Sequence, residues 1–177
     1  MNTGNKDIME KVTTASLQQL GYTESKTYLM AAIFVVGNIL LPQLCHLIPQ
    51  GGLIFLPIYF FTLFGAYKYG YAVGLLTAVA SPLVNNLMFG MPASPMLPAI
   101  MTKSILLALI AAFVANKSHK AALPFIALAV VGYQFFGSLV EWGITGSLAS
   151  ALQDVRLGLP GILLQIFGVW ALLKVVK

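Results

Sequence analysis

Charge is scarce in this chain. Only 8% of its 177 residues are Asp, Glu, Lys or Arg, while 59% are hydrophobic and the mean hydropathy is +0.88. An average soluble domain carries roughly 25% charged residues, so a soluble enzyme or nucleic-acid binder of this size could not cover its surface. Cysteine is limited to Cys45, which excludes an internal disulfide and any CxxC metal or redox motif. Two histidines, five acids and no HExxH leave little material for a metal hydrolase. Walker A and GxGxxG sequences are also missing, so neither ATP nor a dinucleotide is bound through those loops. The expectation is a non-enzyme with no metal and no cofactor. Met1–Lys26 is polar, without the apolar core of a cleavable signal peptide, so the first hydrophobic segment reads as a retained span.

Long apolar segments are what the chain does have. A membrane-crossing helix takes about 20 residues, so six would use about 120 of the 177 and eight would not fit. The expected fold is an all-α integral membrane protein with six transmembrane helices. Spans are predicted at about 27–47, 53–66, 69–87, 96–115, 122–145 and 158–174. The domain plan is a polar cytosolic segment, 1–26, followed by a membrane domain, 27–177. Residues 6–21 fit either a short interfacial amphipathic helix, with Asp7 as cap and Ile8, Val12 and Ala15 on one face, or a frayed tail.

The ten basic residues are unevenly distributed. With the N-terminus inside, Lys6, Lys11, Lys26, Lys68, Lys117, Lys120, Lys174 and Lys177 fall on the inner side, and Arg156 stands alone outside. Short cytoplasmic loops are enriched in Lys and Arg, so this bias predicts both termini inside. It also accounts for the net charge of +5 without a nucleic-acid partner.

Two ionisable residues fall within predicted spans, where charge is costly and usually faces the bundle interior or a water-filled cavity. Lys103 lies in span 4 and Glu141 in span 5, both toward the outer side. Gln134, Ser138, Glu141 and Thr145 form a polar stripe on span 5 at i, i+4, i+7 and i+11. Trp142 adjoins it, Thr77, Ser81 and Asn85 share a face of span 3, and Asn38 and His46 lie on span 1. Asp154 and Arg156 sit above span 6. This gathering describes either an outward-facing small-molecule pocket or a Lys103–Glu141 pair that fixes helix packing. The Asn85–Asn86 pair could touch a ligand or cap span 3. A ridge of small residues, Ala66, Gly70, Gly74 and Ala78, suits close approach of another helix, from this chain or from another subunit. Ala31, Ala32 and Gly37 make a weaker patch on span 1.

Pro49-Gln50-Gly51-Gly52, then Ser81-Pro82-Leu83, then Gly90-Met91-Pro92 followed by Leu97-Pro98 give the chain a family likeness. Over residues 27–120 it resembles the substrate-binding S-components of energy-coupling-factor (ECF) vitamin transporters. The resemblance implies six helices, both ends inside, in a prokaryotic cell membrane. It also implies a vitamin-like ligand taken from outside, a transmembrane coupling subunit and two ATPase subunits. Carried onto this chain, the ligand-binding elements hold His46, Met91, Lys103, Gln134, Glu141, Trp142 and Arg156. The AxxxA docking motif frequent on helix 1 of such proteins is replaced here by the stretch Ala31 to Gly37, so a solitary module stays open. Relatives often have an acid where this chain has Lys103, and an ammonium there would suit an anionic vitamin such as pantothenate or lipoate. The alternative is a self-contained, proton-coupled carrier.

Overall fold

A computed structural model describes residues 17–176, and among them every regular element is helical. Helix α1 covers Ser25–Cys45, α2 Gly51–Phe55, α3 Phe60–Tyr69 and α4 Tyr71–Phe89. Then come α5, Leu97–Ser118, α6, Leu123–Thr145, two one-turn helices, α7 Leu148–Ala151 and α8 Gln153–Arg156, and α9, Leu159–Val175. Proline opens α5, α6 and α9 at Pro98, Pro124 and Pro160, where its fixed φ suits the first turn and its missing N–H costs nothing. The proposed interfacial helix lies mostly outside the described residues. Its last part, 17–21, is not helical, and the amides of Gln18 and Leu20 donate to the carbonyls of Lys68 and Tyr69 at 2.7 and 3.1 Å.

Among the described residues four helices are long and apolar enough to cross a membrane: α1, α4, α5 with its preceding turn, and α6. Helix α9 has 17 residues, about 26 Å at 1.5 Å per residue. The segment expected as one span over 53–66 is instead broken. Pro57 has no N–H to continue a helix and disfavours right-handed α geometry in the residue before it. Leu56 accordingly adopts φ 47, ψ 47. A 3-10 turn, Pro57–Tyr59, then leads into α3, which has only 10 residues.

Apolar side chains face outward in stripes: Leu29, Ile33, Val36, Leu40 and Leu44 on α1, Leu128, Val131, Phe135 and Leu139 on α6, and Leu163 and Phe167 on α9. Extended exposed apolar surface on this scale fits a lipid environment rather than water, and the chain is a membrane protein. Polar groups are buried instead, among them Asn38, Thr62, Ser81, Asn85, Lys103, Gln134, Glu141 and Gln165.

Helix α3 is the centre of the bundle. Every residue from Thr62 to Gly70 is buried, and α3 packs on α1, α4, α5 and α9. The small-residue ridge is consumed in this packing. A Cβ on Gly74 would lie 2.5 Å from the Ala66 Cβ and 3.3 Å from that of Ala108, so α3, α4 and α5 meet almost backbone to backbone. Gly70, Gly74 and Ala78, expected as a possible partner interface, are therefore interior. On α1, Ala31 is buried and Gly37 is half-buried against the Phe61 ring, leaving Ala32 exposed.

One end of the bundle collects lysines. The Lys26 ammonium donates to Gln18 Oε1 at 2.8 Å, Lys68 Nζ to the Val176 carbonyl at 2.6 Å, and Tyr67 Oη to the Lys120 carbonyl at 2.8 Å.

Candidate functional site

Two polar clusters occupy the half of the bundle away from those lysines. The first joins α1, α3 and α4. Pro42, inside α1, cannot donate to the carbonyl of Asn38 four residues back. Asn85 Nδ2 supplies the missing hydrogen bond at 2.9 Å and also reaches the Ser81 carbonyl at 2.9 Å. The Asn38 side chain is used completely. Its Nδ2 donates to Thr62 Oγ1 at 3.0 Å and Ser81 Oγ at 3.1 Å, and its Oδ1 accepts from the Phe61 amide at 3.1 Å. That amide belongs to the first turn of α3, where no intrahelical acceptor exists. The break at Leu56–Pro57 is thus stitched to α1 by Asn38.

The second cluster joins α5, α6, α8 and α9. Lys103 is 2% exposed, and its ammonium pairs with Glu141 Oε2 and with Asp154 Oδ2, the latter at 2.7 Å. Glycine at 137 permits this, since a Cβ there would lie 2.8 Å from Lys103 Cγ. The lysine stem lies flat on α6 to reach Glu141, one turn further on. Deeper, a hydrogen-bond chain runs from Gln134 Nε2 to Tyr133 Oη and from there to Gln165 Oε1, each step 3.0 Å. The Tyr59 and Tyr133 rings lie 5.6 Å apart beside it. This cluster is incomplete. Gln134 Oε1, Gln165 Nε2 and Ser138 Oγ are buried without a hydrogen-bond partner among the described residues, as are Gln43 Nε2 on α1 and Ser104 Oγ on α5 outside this cluster.

Two cavities flank these clusters. One, of about 400 Å³, lies between the end of α1, α2 and the connection before α5, and is lined by His46, Gly52, Asn85, Met91, Pro92 and Ile100 among others. The other, of about 450 Å³, lies between α6 and α9 under α7 and α8, with Gln134, Ser138 and Trp142 in an otherwise apolar wall. Compared with family models, curated proteins and solved structures, the chain has no match.

The expected site residues therefore separate into groups. His46, Asn85 and Met91 share the first cavity. Gln134 and Trp142 share the second. Lys103 and Glu141 form the ion cluster beside it. Asn86 donates to the Pro92 carbonyl at 2.7 Å and so orders the connection between α4 and α5, the capping alternative. Asn85 likewise serves α1, though it also lines the first cavity. Arg156 is exposed at the end of α8.

The ion cluster also changes the argument about ligand charge. Lys103 has two carboxylates for its one ammonium, so the ground for an anionic ligand at that residue falls away. The sequence places Asp154 as a charge above span 6 but does not mark it as a partner of Lys103. One signal was available: Glu141 and Asp154 are the only acidic residues after Glu24. Tyr133, next to Gln134, and Gln165 on α9 were missed.

Proposed function

We propose that this chain is the substrate-binding membrane subunit of an ECF-type importer. In this reading six crossings, with Gly51–Tyr69 counted as one broken crossing, place both ends on the cytoplasmic side of a prokaryotic cell membrane. A vitamin or related micronutrient enters from the opposite side and is carried inward with a separate coupling subunit and two ATPases. The observation that carries the reading is the one-sided distribution of buried polar atoms that lack a hydrogen-bond partner among the described residues. Two cavities and an incomplete polar cluster occupy one half of the bundle, and the lysines occupy the other end. A buried polar atom without a partner costs about 1–3 kcal/mol, a cost that a ligand supplying that partner removes.

The test is to purify the protein, identify co-purified small molecules by mass spectrometry, and titrate a vitamin panel. A bound vitamin-like compound that is lost in Lys103→Ala and Glu141→Ala supports the reading. A ligand-free protein that binds none of the panel ends it.

A second reading, a self-contained proton-coupled carrier, is favoured by the surplus of carboxylate over ammonium at Lys103. Substrate uptake into proteoliposomes that contain this chain alone and carry a proton gradient would support it. Uptake that requires an added ATPase module excludes it.

A further inference from the structure

The two carboxylates that share the Lys103 ammonium stand on different footings. Glu141 is fixed in the 23-residue helix α6, whereas Asp154 belongs to the connection between α6 and α9. That connection, residues 146–158, is lightly attached. It begins at Gly146, whose φ is +66° and whose position for a Cβ has no neighbour within 4 Å. It ends at Gly158, anchored so closely that a Cβ would lie 2.4 Å from the Asp154 carbonyl oxygen and 2.7 Å from Leu56. Between the two glycines only Ala151 is buried, and Leu148, Leu152, Val155 and Leu157 are exposed. Segments with so few buried apolar groups are the first to open. What ties this one across to α5 is the Lys103–Asp154 pair, at 2.7 Å.

We propose that residues 146–158 are a strap that opens and closes over the buried polar cluster, with Asp154 as its catch. Glu141 is the fixed counter-ion that allows Lys103 to release it. Closed, the cluster holds one ammonium against two carboxylates, where Lys103 is 2% and Glu141 7% exposed. Surplus charge held away from water is costly. When Asp154 withdraws, Lys103 and Glu141 remain as a balanced pair and the released carboxylate is hydrated. Opening therefore loses one charge-assisted hydrogen bond and the burial of Ala151, and it relieves the surplus charge. These opposing effects keep the two states close in free energy, as a bistable element requires. Without an acid at position 141 the same movement would strand a buried ammonium. Open, the strap uncovers Lys103, Glu141 and the α6 face one and two turns deeper, where Ser138 and Gln134 carry their unpaired atoms. It governs access to that network from the end of the bundle opposite the lysines, whatever molecule uses it.

The two acids should respond with opposite sign. Cys45→Ser removes the native thiol, and Ala149→Cys on the strap and Asn116→Cys on α5, both at exposed positions, then carry nitroxide spin labels. Pulsed electron–electron resonance in lipid nanodiscs reads the distance between them. Asp154→Asn keeps the size of the side chain without its charge. It should raise the ratio of long to short distances about tenfold, the worth of one charge-assisted hydrogen bond. Glu141→Gln should leave only the short distance, because Asp154 is then the sole counter-ion of Lys103. Lengthening in both variants overturns the proposal, since a cluster that holds helices together loosens whichever acid is removed. An unchanged distance in monodisperse Asp154→Asn overturns it as well. Should Asp154→Asn fail to fold, Glu141→Gln still decides by itself: a longer distance refutes the catch and a short one upholds it. No ligand enters any arm, so the result is independent of the transport reading.

Discussion

The two polar clusters are chemically alike and differ in completeness. Around Asn38, each side-chain donor and acceptor of that residue meets a partner on α3 or α4, and the carbonyl freed by Pro42 is filled by Asn85. Around Lys103 and Tyr133, helices α6 and α9 leave three buried polar atoms, Gln134 Oε1, Ser138 Oγ and Gln165 Nε2, unmatched among the described residues. A network with every group paired fixes helices, whereas one with open valences is strained until something completes it. Burial alone does not tell the two apart, since Asn38 and Lys103 are both almost wholly buried. Counting partners does.

The comparison can be broken most severely at Lys103. Lys103→Ala leaves the buried Glu141 carboxylate and the half-buried Asp154 carboxylate without their cation, and removing one member of a buried pair costs about 3–5 kcal/mol. A large drop in the thermal unfolding midpoint, followed by size-exclusion chromatography in detergent, is the expected outcome. Replacing all three charges together, as Lys103→Met, Glu141→Gln and Asp154→Asn, should recover most of that stability because no unpaired charge remains. Ligand binding should not return with it. If the triple variant binds as the parent does, the ion cluster has only a packing role.

Asn38→Ala should cost about 1–3 kcal/mol, because the Phe61 amide loses its acceptor in the interior. Its signature is lower stability with the affinity for any identified ligand unchanged, measured by isothermal titration of the same preparation. A loss of affinity equal to that of Lys103→Ala would erase the distinction between the clusters. Gly137→Ala is expected to cost about 1–3 kcal/mol by pushing Lys103 off α6, and it should weaken binding where Gly132→Ala, which meets only the tip of Ile110, does not. The smallest effect is expected for Asn86→Ala. It removes one hydrogen bond to the Pro92 carbonyl, worth about 0.5–1.5 kcal/mol, and should raise protease sensitivity of the 90–96 connection with little change in the unfolding midpoint.

Much of this architecture was readable from hydropathy, because a membrane helix must carry its apolar residues in one long run. The segments expected near 27–47, 69–87, 96–115, 122–145 and 158–174 correspond to α1, α4, α5, α6 and α9 within a few residues. The 53–66 segment departs from its expected single span although its run is just as apolar, and in the sequence only Pro57 marks the break. Lys103 and Glu141 announced themselves by the cost of charge in a span. Asp154 gave no such sign, because an acid in a connection is ordinary and its partner depends on how α8 folds back over α5 and α6. The glycine ridge was legible as a close-approach surface, but a sequence does not say whether the approaching backbone is its own. Tyr133 was hidden by its neighbours, as a tyrosine in an apolar run counts as hydrophobic until its hydroxyl finds two glutamines.

The short α3 has a consequence for how the protein meets its bilayer. A helix of 10 residues exposed to lipid would be about 15 Å long, far below the thickness of a hydrocarbon core, and would force the bilayer to thin around it. Buried from Thr62 onward by α1, α4, α5 and α9, it imposes no such mismatch. Bilayer thickness is sensed by the outer helices alone. A change in bilayer thickness should therefore bear on the long helices α1, α4, α5 and α6 and leave the centre of the bundle unchanged.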